Sequence, residues 1–352
     1  MGCLFHKGRQ NSNVTKKGEV KLEGYSWDKR KTVNLKDYII ESIEDGEVLK
    51  MPGAVNGQQF VIQNCKNTSI FVFDHANTVT VDDCINCKII LAAVKGSIFL
   101  RDCKECLCVV ACGQFRARDC RKVDIFLCCT TQPIIESSSS IHFGCYQLFY
   151  NELEEHFQQA GLSVFNNNWS SIHDFTPIEG EHNWCLFPDT IKIQDYVSLP
   201  ASQELQRLSA SLLAERSVVP HTWGLHKTPS GESCLVAFFS DGQQVQRAKA
   251  FINALKIENP YCLLLLSKEA RMQGVDAEHV FRTDSYNAAV QRGLVVGLHY
   301  SGPNCIHSCQ KVAVSIATAT GSTGLVYVST NPKISQKQVD SFFNFANMQL
   351  IA

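Results

Sequence analysis

From Pro52 onward the chain repeats a short pattern of period two. Aligned on Cys65, Cys84, Cys103 and Cys120, spaced 19, 19 and 17 residues apart, the sequence falls into columns. Five residues before each cysteine stand Phe60, Val79, Ile98 and Phe115, and three before stand Ile62, Val81, Leu100 and Ala117. All are apolar, whereas the positions two before are Gln63, Asp82, Arg101 and Arg118. After the cysteine, Ile70, Ile89, Cys108 and Ile125 share one column and Val72, Leu91, Val110 and Leu127 another. Short alternating runs predict strands with one buried face. Their recurrence without a helical period predicts a solenoid, read as a right-handed parallel β-helix in which each coil packs against the next.

The pattern changes after the last coil. A helix is predicted around Glu152 to Ala160 and a turn at Asn166 to Trp169, together capping the open end of the solenoid. A leucine stripe of Leu205, Leu208, Leu212 and Leu213 predicts a helix from about Ser202 to Arg216 that packs on a neighbouring domain. Then strands at Leu235 to Phe239, Tyr261 to Ser267, Gly293 to Tyr300 and Gly324 to Ser329 alternate with helical stretches at Val245 to Leu255, Asp276 to Arg292 and Asn304 to Ser315. That alternation predicts an α/β ferredoxin-like sandwich. The expected organisation is an anchor at 1–24, a β-helix domain at 25–178, a connector at 179–232 and a second domain at 233–352.

Composition narrows the classes. With 352 residues and 45% hydrophobic content, two domains with true cores are expected. The net charge of −1 gives no electrostatic reason to expect a nucleic-acid partner. No apolar run approaches the length of a membrane span. No signal peptide opens the sequence, so the 17 cysteines are expected as free thiols in a reducing compartment. Cys84-x-x-Cys87 and Cys103-x-x-Cys106 match the spacing of a zinc site. The column of Cys87 and Cys106 also holds Thr68 and Val123, however, and Cys108 sits in a column of isoleucines, so cysteine reads as a small core residue and no metal is expected.

The start, Met1-Gly2-Cys3, offers Gly2 for N-myristoylation and Cys3 for S-palmitoylation, with Lys7, Arg9, Lys16 and Lys17 available to anionic lipid. His6 departs from the usual Ser or Thr of the acylation motif. Two acyl chains plus basic residues make a stable membrane anchor.

The candidate chemistry lies in Cys112-Gly113-Gln114-Phe115-Arg116-Ala117-Arg118-Asp119-Cys120. In a strand, Gln114, Arg116 and Arg118 share one face while Phe115 and Ala117 take the other. Arg116 occupies the column of Val61, Thr80 and Phe99, an arginine where other coils are neutral. Glu136 follows 20 residues later, about one coil on, near the guanidinium. A positioned arginine is what a partner's phosphoryl-transfer site lacks.

These residues, Gln114-Phe115-Arg116-x-Arg118-Asp119-Cys120 with Gln132-Pro133-Ile134-Ile135-Glu136, resemble the tubulin-binding cofactor C family. The resemblance covers nearly the whole chain and is most specific between Tyr25 and Pro177. It implies a trans-acting activator of GTP hydrolysis by an Arf-like small GTPase in its GTP form, Arf-like protein three of the cilium. Such activity would serve the traffic of lipidated cargo. Arg116 is then the arginine finger, Glu136 and Phe175 belong to the contact surface, and Arg118 supports its coil through an acidic neighbour. GTP and Mg²⁺ belong to the partner, so the chain needs no cofactor of its own. The implied location is the cytoplasmic face of the plasma membrane, and the cilium or basal body. One departure stands out. The family carries a glutamine three residues before the finger; here that position is Gly113, with Gln114 one place nearer. This keeps open a non-catalytic effector or scaffold of the same GTPase. Tubulin folding, the role of the founding member, is a further alternative.

The second domain resembles nucleoside diphosphate kinases, chiefly through what it lacks. Phe239-Ser240-Asp241-Gly242 replaces a Lys-Pro-Asp-Gly, and Asn331-Pro332-Lys333-Ile334 puts Ile334 where the nucleophilic histidine belongs. Asn304-Cys305-Ile306-His307 falls a helix and a strand too early. No kinase activity is expected.

Overall fold

The computed structural model describes residues 35–188, 190–224 and 231–351. Gly2, Cys3 and the basic residues near them lie outside these. No helix among the described residues is long and apolar enough to cross a membrane.

Twelve strands wind into a parallel solenoid: β1 (Ile39–Glu41), β2 (Glu47–Lys50), β3 (Phe60–Gln63), β4 (Ser69–Val72), β5 (Val79–Asp82), β6 (Lys88–Arg101), β7 (Leu107–Arg118), β8 (Arg121–Cys129), β9 (Ile134–Glu136), β10 (Ser139–Cys145), β11 (His173–Asp174) and β12 (Trp184–Leu186). One side stacks β1, β3, β5, the C-terminal halves of β6 and β7, then β9 and β11. Another stacks β2, β4, the N-terminal halves of β6 and β7, β8, β10 and β12. Bridges linking Glu44, Lys66, Ile85, Lys104 and Arg121 mark a third side. Phe60, Val79, Ile98 and Phe115 stand in register, as their column in the sequence implies.

The cysteine column has a physical reason beyond small size. The residue before each cysteine (Asn64, Asp83, Asp102, Asp119) and the residue two after it (Asn67, Asn86, Glu105, Lys122) all have φ of 50–55°. Each cysteine thus sits inside a corner made by two left-handed residues, a conformation that Asn and Asp tolerate best among side-chain-bearing residues. From there the thiol donates to the carbonyl two residues earlier: Cys65 to Gln63 and Cys84 to Asp82 at 3.4 Å, Cys103 to Arg101 and Cys120 to Arg118 at 3.3 Å. Ser138 Oγ makes the same bond to Glu136 at 2.8 Å in the next coil. Cys87 and Cys106 repeat it, as does Thr68 Oγ1 toward Lys66, which explains why threonine shares their column.

Beyond the solenoid, α1 (Leu153–Gln159) forms where the sequence places a helix, but it packs on the outer apolar face with Phe71 and Phe73 instead of covering the open end. The helix expected at Ser202 to Arg216 is much shorter: α2 covers only Gln203–Leu208. Ser209 turns left-handed at φ 54°, and Ser211 then bridges to Phe149, so the backbone leaves the helix to pair with the cap. Leu205, Leu208 and Leu212 are buried against the solenoid's outer apolar face with Phe71, Phe73 and Ile90. Leu213 is exposed instead.

The last part carries β13 (Glu232–Phe238), β14 (Leu263–Arg271), β15 (Leu294–Gly302) and β16 (Val326–Val328) in the order β14-β15-β13-β16, all neighbours antiparallel. Its helices are α3 (Gln244–Glu258), α4 (Gly274–Phe281), α5 (Asn287–Val290), α6 (Cys305–Thr320) and α7 (Pro332–Ile351). The stretch read as one helix from Asp276 is two, because Arg282 closes α4 in the left-handed region. α7 is an addition to the sequence reading. Its signal was Pro332 at the first helical position, with Asn331 Oδ1 accepting from the Lys333 N–H at 2.9 Å. α3 and α6 pack on one face of the sheet and α4 and α7 on the other.

The cap joins this sheet directly. Phe165 lies in its core, and the Phe165 carbonyl accepts from Ser267 at 2.8 Å. Asn166 accepts from the Glu269 N–H at 2.8 Å, and Asn168 from the Lys268 ammonium at 2.7 Å.

His299 is 4% exposed on β15, its Nδ1 has no hydrogen-bond partner among the described residues, and burial pulls its pKa down to about 4. Burial also lowers that of His156. Both charge more readily unfolded than folded, so their stabilisation is full above the ordinary histidine pKa and fades as pH falls toward the lowered one. The His299 displacement alone corresponds to a loss of about 2 kcal/mol between pH 7 and pH 5. Chemical denaturation across that window should show the fall, and His299→Met should lessen it by about that amount, leaving the part due to His156.

Candidate functional site

The burial of β7 alternates at its C-terminal end: Phe115 and Ala117 are buried while Gln114, Arg116 and Arg118 face out. The strand register then sets who meets whom. Arg116 lies opposite Phe99 on one side and Ile134 on the other, and Arg118 opposite Glu136. From two residues along, the Glu136 carboxylate reaches back to accept from Arg116 Nη2. The side chains of Arg116 and Glu136 are 46% and 31% exposed, so the pair contributes little stability, about 0–1 kcal/mol. Its effect is to hold the guanidinium over the strand with one edge open to solvent.

The neighbours occupy the remaining charges. Arg118 Nε pairs with Asp119 at 3.2 Å, and Arg101 grips Asp82 through two bonds of 2.7 and 2.6 Å one coil before. Gln114 Oε1 accepts from Ser97 Oγ at 3.0 Å, which ties that amide to the preceding coil.

Phe175 follows β11, its N–H donating to the Ile135 carbonyl at 2.9 Å, which puts it on the coil after Glu136. It is 56% exposed and its ring meets His173 edge-on at 4.5 Å between centroids. Ile178 nearby is also exposed, on a loop pinned by Asp174, which accepts from the Thr176 N–H and from Asn183. Three successive coils therefore present Arg116, Glu136 and Phe175 along one face. Ile134, His173 and Ile178 complete it. They escape sequence reasoning because β11 returns to the stack 37 residues after β9, outside the repeat.

Gly113 has a structural explanation. A Cβ there would lie 2.7 Å from the Lys95 carbonyl oxygen and 3.1 Å from that of Gly96, both backbone atoms. This is where the β6–β7 pairing shifts register, between Val94 and Ser97. The two strands approach so closely that a side chain at 113 needs the backbone to move.

These observations define a solenoid of the tubulin binding cofactor C class, and residues 57–175 match the family model of that description. Protein XRP2 of Gallus gallus is 44% identical over 361 residues, covering 99% of this chain and 99% of that protein. Protein XRP2 of Homo sapiens is 44% identical over 354 residues, again 99% of each. The chain belongs to the XRP2 family. It is more distantly similar to Tubulin-specific chaperone C of Pongo abelii, 30% identical over 183 residues, 51% of this chain and 50% of that protein. The solved structure of Tubulin Binding Cofactor C from Leishmania major is 26% identical, with a TM-score of 0.32, over 35% of this chain and 86% of that one.

Restoring a side chain at Gly113 should cost stability. Gly113→Gln is expected to lower the thermal midpoint by several degrees, corresponding to roughly 2 kcal/mol or more. A thermal scan beside the adjacent Gln114→Ala, which leaves the midpoint within a degree or two, checks this.

Proposed function

We propose that this chain activates GTP hydrolysis by an Arf-like small GTPase, with Arg116 inserted in trans beside the γ-phosphate. The observation that carries the reading is a half-exposed guanidinium on a rigid strand, aimed by Glu136 and flanked by exposed Phe175. A finger works by meeting charge that develops only in the transition state, and pre-organisation on a strand lowers the cost of placing it. Phe175, Ile178 and Glu136 supply the surrounding contact. Glu136 also serves as the holding partner of Arg116 until the phosphate competes for it. The nucleotide and its Mg²⁺ come with the GTPase, and Arf-like protein three is the preferred candidate.

Gly113 supports a second reading, an effector or scaffold that binds the GTP state without accelerating hydrolysis. Kinship with tubulin-specific chaperone C supports tubulin as an alternative partner. The order β14-β15-β13-β16 with intervening helices supports a ferredoxin-like sandwich for the last part, read as a kinase-related domain without kinase activity. Gly2 and Cys3 acylation, with the basic residues behind them, would hold the protein on the cytoplasmic face of the plasma membrane and at the cilium.

Single-turnover GTP hydrolysis by Arf-like protein three separates the readings. The native chain should accelerate it and Arg116→Ala should lose about 10³-fold or more of that acceleration, by the worth of such fingers elsewhere. Undiminished activation by the variant would remove Arg116 from the chemistry, and binding without acceleration by the native chain would favour the effector. For the anchor, Gly2→Ala should move the protein from the membrane to the soluble fraction on cell fractionation; unchanged membrane association would exclude an acyl anchor at Gly2.

A further inference from the structure

The four cysteines of residues 233–352 share one buried cluster, and three of them bring their sulfurs together. Cys234 lies on β13, Cys262 just before β14, and Cys305 and Cys309 one turn apart on α6. The sulfurs of Cys262, Cys305 and Cys309 lie within 4.8 Å of one another, with Cys305 and Cys309 at 4.0 Å. Cys234 belongs to the same buried cluster, its thiol donating to the Leu235 carbonyl at 3.7 Å. All four residues are 0–5% exposed. This is a different arrangement from the solenoid, where cysteines stack coil upon coil and satisfy backbone carbonyls. Four sulfurs around a tetrahedral zinc at about 2.3 Å stand roughly 3.8 Å apart, so small rotamer adjustments would bring these thiols to ligand positions.

A second observation points to the same place. The Tyr300 hydroxyl is buried without a hydrogen-bond partner among the described residues, in a side chain 2% exposed. Tyr300 lies in the same buried cluster as the four cysteines. An orphaned buried donor is unfavourable, and a metal-bound thiolate is the acceptor it lacks. Cys305 is the first residue of α6 and Cys309 lies in the next turn, so the positive end of a 16-residue helix faces thiolates there. Cys262 and Tyr300 also line a cavity of about 480 Å³, which gives an ion a way in.

We propose that Cys262, Cys305 and Cys309, with Cys234 turning from the Leu235 carbonyl to become the fourth ligand, form a closed structural site for a soft tetrahedral cation, zinc, tying β13, β14 and α6 together. On binding, each thiol releases its proton to water and its sulfur forms one bond to zinc. The resulting net charge of −2 is offset by the helix terminus and the Tyr300 hydroxyl. Sequence reading does not find this set, because the spacings of 28, 43 and 4 residues match no zinc-ribbon pattern.

The test uses the full-length chain, purified reduced and without chelator, with metal content measured by plasma mass spectrometry. About one zinc per chain is expected, together with the thiolate charge-transfer and tetrahedral d–d bands of cobalt when Co²⁺ is titrated into the metal-stripped protein. Paired Cys305→Ser and Cys309→Ser substitutions should abolish both signals, whereas Cys84→Ser in the solenoid should leave them intact. If the paired variant does not fold, the native chain decides: a lowered thermal midpoint after chelation, restored by one equivalent of zinc, supports the site. Absence of stoichiometric zinc or of the cobalt bands from the native chain overturns the proposal. So does retention of the metal by a folded paired variant.

Discussion

Stacking in register is the constraint on which the rest depends. In a parallel solenoid every inner strand hydrogen-bonds to the coil before and the coil after, about 4.8 Å away. A slip of one residue would exchange buried and exposed faces. The left-handed corners on either side of each cysteine fix where a coil bends, and the thiol or hydroxyl inside the corner satisfies a carbonyl there. That arrangement fixes the phase of each coil. Arg116 faces outward because Phe115 and Ala117 must face inward, and it meets Glu136 because β7 and β9 pair with Arg116 opposite Ile134.

The same constraint leaves little freedom at Gly113. Where β6 shifts its register against β7, the chains come too close for a Cβ. The missing glutamine is therefore part of the local backbone path, and the polar group that remains, Gln114, is held by Ser97 on the preceding coil. Farther on, α1 packs on the outer apolar face of the stack, and the asparagine run passes its hydrogen bonds to β14. The two halves consequently share a polar seam with Phe165 inserted as an apolar pin.

Much of this was legible in the sequence, and for identifiable reasons. Columns spaced by a coil expose the solenoid because one coil is one repeat, so Phe60, Val79, Ile98 and Phe115 announce a shared environment. The four strands of the last part were legible as apolar runs between turn residues. What failed was whatever depended on contacts distant in the chain. The leucines from Leu205 to Leu213 have a helical period, yet the pairing of Ser211 with Phe149 breaks the helix. The coil that carries His173 and Phe175 returns after an excursion no period announces. The cluster of Cys234, Cys262, Cys305 and Cys309 arises only from the fold of the sheet and α6.

The central claim is that Arg116 recognises charge that develops during hydrolysis, beyond whatever it contributes to binding the GTP state. The most direct measurement compares the affinity of the native chain and Arg116→Ala for Arf-like protein three loaded with GDP and aluminium fluoride, with a GTP analogue, or with GDP alone. The native chain should bind the aluminium fluoride complex at least tenfold more tightly than the GTP-analogue complex, and Arg116→Ala should lose that preference while keeping its affinity for the analogue. Equal affinity of the native chain for the two complexes would contradict the account and leave an effector in its place.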